Sequence, residues 1–305
     1  MDLSIIIINF NTGKFLQNCL ESLFSKTKEM TYEVIVVDNG SDDDTVKMIE
    51  KEFPHVNLIK NEKNLGFTKA NNQGMKIAKG EYFLLLNSDT ILNEISITPA
   101  LKYMKANQDV GICGCKHYNQ DGSLQRTCFH FPNIITLLWD LTLLSRFFPK
   151  SSIFGKYAMT YWDYNDTRQV DRVMGSYLLT NKSFIEKVGL LDENFFIYEE
   201  ETDWCYRAKK AGFKVMFFHE SSIVHFGGKA TTDTFFRVEG IKSMHKFYKK
   251  HYSRFQNIAL NMIMPLNFII RFTIWNLLNL VAPSQGKRKN IRDIKEILRI
   301  YRVSG

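Results

Sequence analysis

The sequence predicts an α/β fold: a mostly parallel sheet flanked by helices, followed by a basic helical extension. Three observations carry this reading. Short β-branched or leucine-rich runs (IIII, VIVV, FLLL) alternate with helical stretches over the first 116 residues, the pattern of strand–helix units. Those runs are continuously apolar, as strands are when both sheet faces are covered. Charge is uneven: residues 1–245 hold 28 Lys and Arg against 30 Asp and Glu, whereas residues 246–305 hold 12 against 2.

Taken in order, strands are expected at Ser4–Asn9, Glu33–Asp38, Val56–Lys60, Tyr82–Asn87 and Val110–Cys115. Helices near 14–26, 43–53, 68–79 and 95–107 separate them, which makes the first half Rossmann-like. Residues 126–169, aromatic and carrying Pro132 and Pro149, show no period and read as a covering loop region. A strand-like stretch Val170–Thr180, a short helix at 182–188, a helix from near Glu199 to Gly212 and a strand Lys214–His219 follow. The apolar run 256–282 is interrupted by Asn261, Pro265, Asn267, Arg271, Asn276 and Asn279, which disfavours a membrane span. Beyond it, GKRKNIRDIKEILRIYR sets seven cations opposite Ile291, Ile294, Ile297, Leu298 and Tyr301. An amphipathic basic helix beside an apolar one reads as an interfacial anchor on anionic lipid, or as a dimer or packing interface.

Composition removes several function classes. A 305-residue chain with 45% hydrophobic and 24% charged residues is globular rather than disordered or collagenous. Cys19, Cys113, Cys115, Cys128 and Cys205 are too scattered for a disulfide framework and lack zinc-knuckle spacing, so buried reduced thiols are expected. No cationic stretch precedes the run Ile5–Ile8, so no secretory signal is expected. The slightly acidic body argues against nucleic acid as a partner. Dinucleotide and P-loop signatures are missing, because no G-x-G-x-x-G follows the first strand and Gly13-Lys14 lacks an upstream glycine.

Ligands of open α/β sheets bind beyond the carboxyl ends of the strands. Here those ends are Asn9-Phe10-Asn11, Asp38-Asn39-Gly40, Asn61–Asn64 and Asn87-Ser88-Asp89. Two carboxylates, Asp38 and Asp89, converge on one sheet edge and suggest a crevice that answers phosphate charge with a divalent cation. A second acidic group, Glu199-Glu200-Glu201 with Asp203, opens the later helix. The macrodipole explains part of this crowding, but like charges at that density favour a nearby cation or substrate. Glu200, Asp203 and Arg207 share one helix face, leaving Glu201 free for chemistry.

The strings SIIIINFNT, VIVVDNGSDDDT, NLGFTKANNQG, GEYFLLLNSDT and VGLLDENFFIYEEETDWCYRAKKAGFKV, with IVHFGG ending at Gly228, resemble the inverting glycosyltransferase family 2 with a GT-A fold, closest to bacterial rhamnosyltransferase-like members. The resemblance covers roughly residues 3–228. It implies a nucleotide-sugar-binding half (1–116), an acceptor-binding and catalytic half of the same GT-A domain (117–245) and a basic helical extension that associates with a membrane or dimerises (246–305).

Residue by residue, the resemblance implies that Asp38 reads the nucleobase, with Phe10 stacking and Asp42 near the nucleoside. It places Asn64, Gly66 and Asn72 by the nucleoside and diphosphate. Asn87-Ser88-Asp89 stands where relatives carry a D-x-D-like motif, of which only Asp89 is acidic here; Asp89, with His225, is the expected ligand for Mg2+ or Mn2+. Gly175, Ser176 and Trp204 fall on the acceptor side. Glu200-Glu201 occupies the position of the family's Glu-Asp, so the base is Glu201, one methylene longer, or else Asp203; Glu201 is preferred. A carboxylate that takes the acceptor hydroxyl's proton supports one inverting displacement, without the second carboxylate that retaining glycosidases need.

The resulting expectation is a metal-dependent transfer of a sugar, rhamnose by resemblance, from a nucleoside-diphosphate donor to a lipid-linked or glycan acceptor in surface-glycan synthesis. The enzyme would sit on the cytoplasmic face of the plasma membrane, in contact with anionic lipid and with a homodimer contact in its extension. The departures at Asn87 and Glu201 motivate an alternative, a non-catalytic sugar-nucleotide-binding subunit.

Overall fold

The computed structural model describes residues 1–227 and 234–303. It begins with β1 (Leu3–Asn9), α1 (Gly13–Lys26), β2 (Tyr32–Asp38), α2 (Thr45–Glu52), β3 (Asn57–Lys60), α3 (Phe67–Ile77) and β4 (Tyr82–Asn87). Next come β5 (Thr90–Leu92), α4 (Thr98–Ala106), β6 (Val110–Tyr118), β7 (Leu124–Gln125), β8 (Cys128–Phe129), α5 (Ile134–Leu141) and α6 (Leu144–Phe147). The remainder is β9 (Arg168–Gln169), β10 (Arg172–Val173), β11 (Tyr177–Asn181), α7 (Lys182–Val188), α8 (Glu200–Lys210), β12 (Lys214–His225), α9 (Thr234–His251), α10 (Arg254–Val281) and α11 (Gln285–Val303).

The main sheet runs β3-β2-β1-β4-β11-β6-β12-β5. Its first four strands are parallel, in register from Leu3 opposite Tyr32 and Tyr82 onward. β11 enters antiparallel between β4 and β6, and β12 returns parallel to β6. Alternation within β1 explains how both faces are buried: Leu3, Ile5 and Ile7 join the core shared with Leu16, Leu20 and Leu23 of α1. Ile6 points the other way, against α3, where a Cβ on Gly74 would meet Ile6 Cγ2 at 2.5 Å, so the helix can seat closely only with glycine there. All parallel strands therefore end at one edge, carrying their terminal Asn and Asp side chains with them.

The chain divides into two compact units, Met1–Phe131 with Trp162–Ala230, and Pro132–Tyr161 with Thr231–Gly305. The second unit is helical: α10 packs against α5, α9 and α11. Capping boxes start α5 (Asn133 with Thr136) and α10 (Ser253 with Gln256).

Several expectations are adjusted by this architecture. The loop region 126–169 contains β8, α5, α6 and β9, and its middle, 132–161, groups with the C-terminal helices. α9 runs unbroken through residue 245, so the compact division does not follow the composition change at 246. Val170–Thr180 is two short strands rather than one, because β10 pairs with β8 while β11 pairs with β4 and β6. β12 continues past His219 to His225 through a bulge near Phe218–Ser222 and so delivers His225 to the site edge. The apolar face of α11 is used inside its own unit: Ile294 and Ile297 are buried and Tyr301 Oη meets His245 Nε2 at 3.0 Å. Gly228 and the side chain of Arg302 lie outside the described residues.

Candidate active site

The strand ends of β1, β2 and β4 are tied into one polar floor. Fully buried Asn9 donates through Nδ2 to Asp38 Oδ1 (3.3 Å), Ser41 Oγ (3.1 Å) and Thr45 Oγ1 (3.2 Å), and accepts from Thr12 Oγ1 (2.6 Å). Thr12 Oγ1 in turn lies 3.0 Å from Ser88 Oγ after β4. Asp38 is 2% exposed, and its second oxygen takes the Ser41 amide at 3.0 Å, so this carboxylate shapes the 38–45 turn from within. Asp42 is exposed, its amide held by Asn11 Oδ1, and Phe10 is half-buried at the end of β1.

Asn39 organises the neighbouring loop. Its Nδ2 donates to Asn64 Oδ1 (2.9 Å) and its Oδ1 accepts the Leu65 amide (3.0 Å). Gly66 follows at φ +88° where α3 begins, with Phe196 O only 2.6 Å from where a Cβ would stand. That close approach lets Phe67 N donate to Phe196 O at 2.8 Å, which joins α3 to the loop before α8. Asn72, 2% exposed, reinforces the junction with bonds to Leu191 O, Leu191 N and Glu193 Oε1.

Asp89 and His225 are brought together, with His225 Nε2 3.2 Å from Asp89 Oδ1. The ring is oriented: Gln125 Nε2 donates to Asn119 Oδ1, which turns Gln125 Oε1 toward His225 Nδ1 at 2.7 Å. Nδ1 therefore carries the proton that Gln125 accepts, and Nε2 faces the carboxylate. An imidazole nitrogen and a carboxylate oxygen aimed at one point form a donor set suited to Mn2+ or Mg2+. Among the described residues no group of three or more His, Cys, Asp or Glu is assembled, so an ion here would take its remaining ligands from phosphate and water. Behind His225 lies His117, whose ring nitrogens meet Cys115 O (3.0 Å) and Ser176 Oγ (2.9 Å). Burial first, then His225, pushes the His117 pKa down to about 3, and it stays neutral.

Ser176 links this end of the site to the acidic cluster. Its carbonyl accepts the Asn87 amide at 3.0 Å, while its neighbour Gly175 is where a Cβ would stand 3.8 Å from Glu201 Cβ. Tyr198 and Glu199 both adopt positive φ (64° and 63°) immediately before α8. This strained turn delivers three glutamates to the helix start, each with a buried Oε2 that has no hydrogen-bond partner. Burial, then the Glu201 charge, pushes the Glu200 carboxyl well above the usual range. Burial also raises Glu201, against the pull of Arg172.

Arg172, on β10, escaped the sequence reading. Its Nη1 lies 3.2 Å from Glu201 Oε1, 4.0 Å from Glu199 Oε2 and 2.5 Å from Thr202 Oγ1, with the guanidinium over the Phe129 ring. Glu201 is thus not free, as its helix face suggested, because the cation that answers it comes from a strand 29 residues earlier. The signal was the one cation, next to Asp171, in the strand-like run Val170–Thr180. Two further corrections follow. Asp203 is fully buried and held by Arg207 Nε at 2.8 Å, inside the helix packing rather than in the site. Trp204, 0% exposed, donates to Gly189 O and packs edge-to-face on Phe184, so it offers an acceptor no surface.

The chain as a whole is similar to known proteins in sequence and in fold. The N-acetylglucosaminyl-diphospho-decaprenol L-rhamnosyltransferase of Mycobacterium tuberculosis is 26% identical over 240 residues, covering 75% of this chain and 77% of that protein. Among solved structures, the mannosyltransferase PcManGT of Pyrobaculum calidifontis, in complex with GDP-Man and Mn2+, superposes with a TM-score of 0.58 at 13% identity over 99% of this chain and 86% of its own. GalNAc-T7 with UDP, GalNAc and Mn2+ gives 0.63 at 15% identity, covering 87% of this chain, which spans about half (51%) of that one. These neighbours share the GT-A fold. The sequence profile described as Glycosyl transferase family 2 matches residues 4–163, more than half of the chain. The chain belongs to glycosyl transferase family 2 and is a glycosyltransferase.

Proposed function

We propose that this glycosyltransferase moves a sugar, with inversion, from a nucleoside-diphosphate donor to a hydroxyl of a lipid-linked or glycan acceptor, with Glu201 as general base. The observation that carries the reading is the unpartnered, buried Oε2 of Glu201 beside Gly175, one residue from the Ser176–Asn87 contact that leads to Asp89. An acceptor O–H entering past Gly175 has that oxygen as its proton acceptor. The other oxygen, held by Arg172, fixes the carboxylate's orientation. Burial raises the pKa of Glu201, which makes its carboxylate a stronger base, and Arg172 opposes that rise. Asp203, locked to Arg207, has no comparable freedom.

On the donor side, Phe10 and Asp42 present surface to a nucleoside, with Asp38 shaping their turn. Asn64, Gly66 and Asn72 hold the adjoining loop, and Asn87 and Ser88 line the approach to the diphosphate. Asp89 and His225 would hold Mg2+ or Mn2+, which when bound would neutralise the leaving diphosphate. The Mn2+ named with both structural neighbours supports a divalent ion. The mycobacterial relative's name supports rhamnose as the sugar and a lipid diphosphate as the acceptor, and we read the work as surface-glycan synthesis at the cytoplasmic face of the plasma membrane.

The test is donor consumption by purified protein with a panel of UDP-, dTDP- and GDP-sugars, a lipid diphosphate acceptor and added Mn2+ or Mg2+. Glu201→Gln is expected to lower kcat by about 10²–10⁴-fold with donor binding intact. Asp89→Ala is expected to remove the metal-dependent part of donor binding in a thermal-shift assay. Asp203→Asn is expected to lower stability while folded protein keeps turning over. Full turnover by Glu201→Gln would sink the assignment.

A further inference from the structure

The helical unit presents an apolar face with nothing over it among the described residues. α10 is 28 residues long and, among the described residues, is the one helix apolar enough to cross a membrane, with a mean hydropathy of 1.5. Its side chains are nevertheless exposed along one stripe at helical spacing: Phe255, Ile258, Met262, Leu266, Ile269 and Leu277, with Phe255 at 76% and Met262 at 68%. The same unit exposes Phe147 at 72% and Ile153 at 60%.

Two features decide what covers the stripe. Within α10, Arg271 Nη2 meets Asp140 Oδ2 of α5 at 2.7 Å, and buried Asn267 donates to the same oxygen at 3.0 Å. A helix crossing a bilayer would carry this charged pair near mid-depth, where charge is most costly, whereas a helix lying in the interface keeps it on the protein side. The charge of the unit supplies the second feature. α11 spends its apolar side on packing, and buried Asp293 anchors it to α9 through Arg237 (3.0 Å) and Thr234 (2.6 Å). Its cations Arg288, Lys289, Arg292, Lys295 and Arg299 are left exposed. Between α10 and α11 a cleft of about 590 Å³ is lined by Asn276, Asn279, Gln285, Arg288, Ile291 and Arg292. Two guanidiniums and three amides with no carboxylate suit a phosphate.

We propose that this unit docks in the plane of an anionic lipid surface, with the α10 stripe at the acyl boundary and lipid phosphates in the Arg288–Arg292 cleft. The 12-to-2 excess of cations over residues 246–305 is the complement of such a surface. The proposal adds a partner to the transferase reading, and its readout involves no sugar transfer, so either can fail alone.

The experiment is flotation of the full chain with vesicles of phosphatidylcholine alone and of phosphatidylcholine mixed with phosphatidylglycerol. Binding is expected only with the anionic vesicles and is expected to be reversed by alkaline carbonate. Met262→Glu with Leu266→Glu is expected to abolish it. Arg288→Ala with Arg292→Ala is expected to weaken it by roughly tenfold or more. All four positions are solvent-facing, and unchanged thermal melts confirm folding before binding is compared. Equal binding to both vesicles, or resistance to carbonate as a spanning helix shows, overturns the proposal. So does selective displacement by inorganic phosphate at matched ionic strength, which makes the cleft a free-anion site. A solution dimer that Met262→Glu dissociates assigns the stripe to a second copy and equally overturns it.

Discussion

Replacing Arg172 with Met tests whether the acidic turn is held by one cation. The side chains of Arg172, Glu199 and Glu201 are only 10%, 9% and 14% exposed, so removing the guanidinium leaves carboxylates buried beside one another. Breaking a buried pair from one side costs about 3–5 kcal/mol, which for a unit of this size lowers Tm by roughly 6–20 °C. The loss also has a pH signature. Glu200 and Glu201 both have folded-state pKa values raised by burial, so the folded protein favours their protonated forms. Stability linked to them is fully present below the ordinary carboxylate range and is lost as pH rises through the raised values. Arg172 opposes that rise at Glu201; without it the loss deepens and extends to higher pH. Wild type and Arg172→Met are therefore expected to lie closer in denaturant unfolding at about pH 5 than at about pH 8. A gap that is equal at both pH values, or a variant as stable as wild type at the higher one, would refute the electrostatic account.

Gly66→Ala is expected to destabilise by roughly 1–3 kcal/mol and to raise the donor KM, since φ +88° is strained for alanine and its Cβ meets Phe196 O at 2.6 Å; wild-type melting would remove that role. All five cysteines are buried, and burial pushes Cys19, Cys128 and Cys205 up to about 12. A thiol reagent at neutral pH is expected to label none in the native protein and all five after unreduced denaturation, and a count below five would reveal a disulfide.

Legibility followed how local each feature is. β1, β2 and β4 could be read because strands covered on both faces are apolar throughout, and each strand–helix unit closes within its own stretch of chain. β7 to β10, two residues each, have no pattern to read; β7 closes a hairpin on β6, while β8, β9 and β10 exist because a strand distant in sequence pairs with them. Nothing local marks β11 as the antiparallel strand between β4 and β6. The site divides in the same way. The reading of Asp89 and His225 as metal ligands came from family resemblance and stays a proposal, but the place of Asp89 at a strand end was legible. What Asp89 meets was not, because Gln125, which turns the ring, lies 100 residues from His225. Trp204 was misread since a helix position within a motif does not tell which face is packed, and this one faces Phe184.

The acidic turn is where local rules and the fold disagree most, and the disagreement has a direction. Two consecutive non-glycine residues at positive φ cost about 1–3 kcal/mol each, and three glutamates with an unpartnered oxygen apiece add to that. The fold tolerates both because α3, through Phe67 and Asn72, clamps the loop before α8, and Arg172 answers part of its charge. Neither device supplies donors to the three Oε2 atoms. On the proposed reading an acceptor hydroxyl bonded to the Glu201 Oε2 would offset part of that cost, and bound acceptor is then expected to raise Tm.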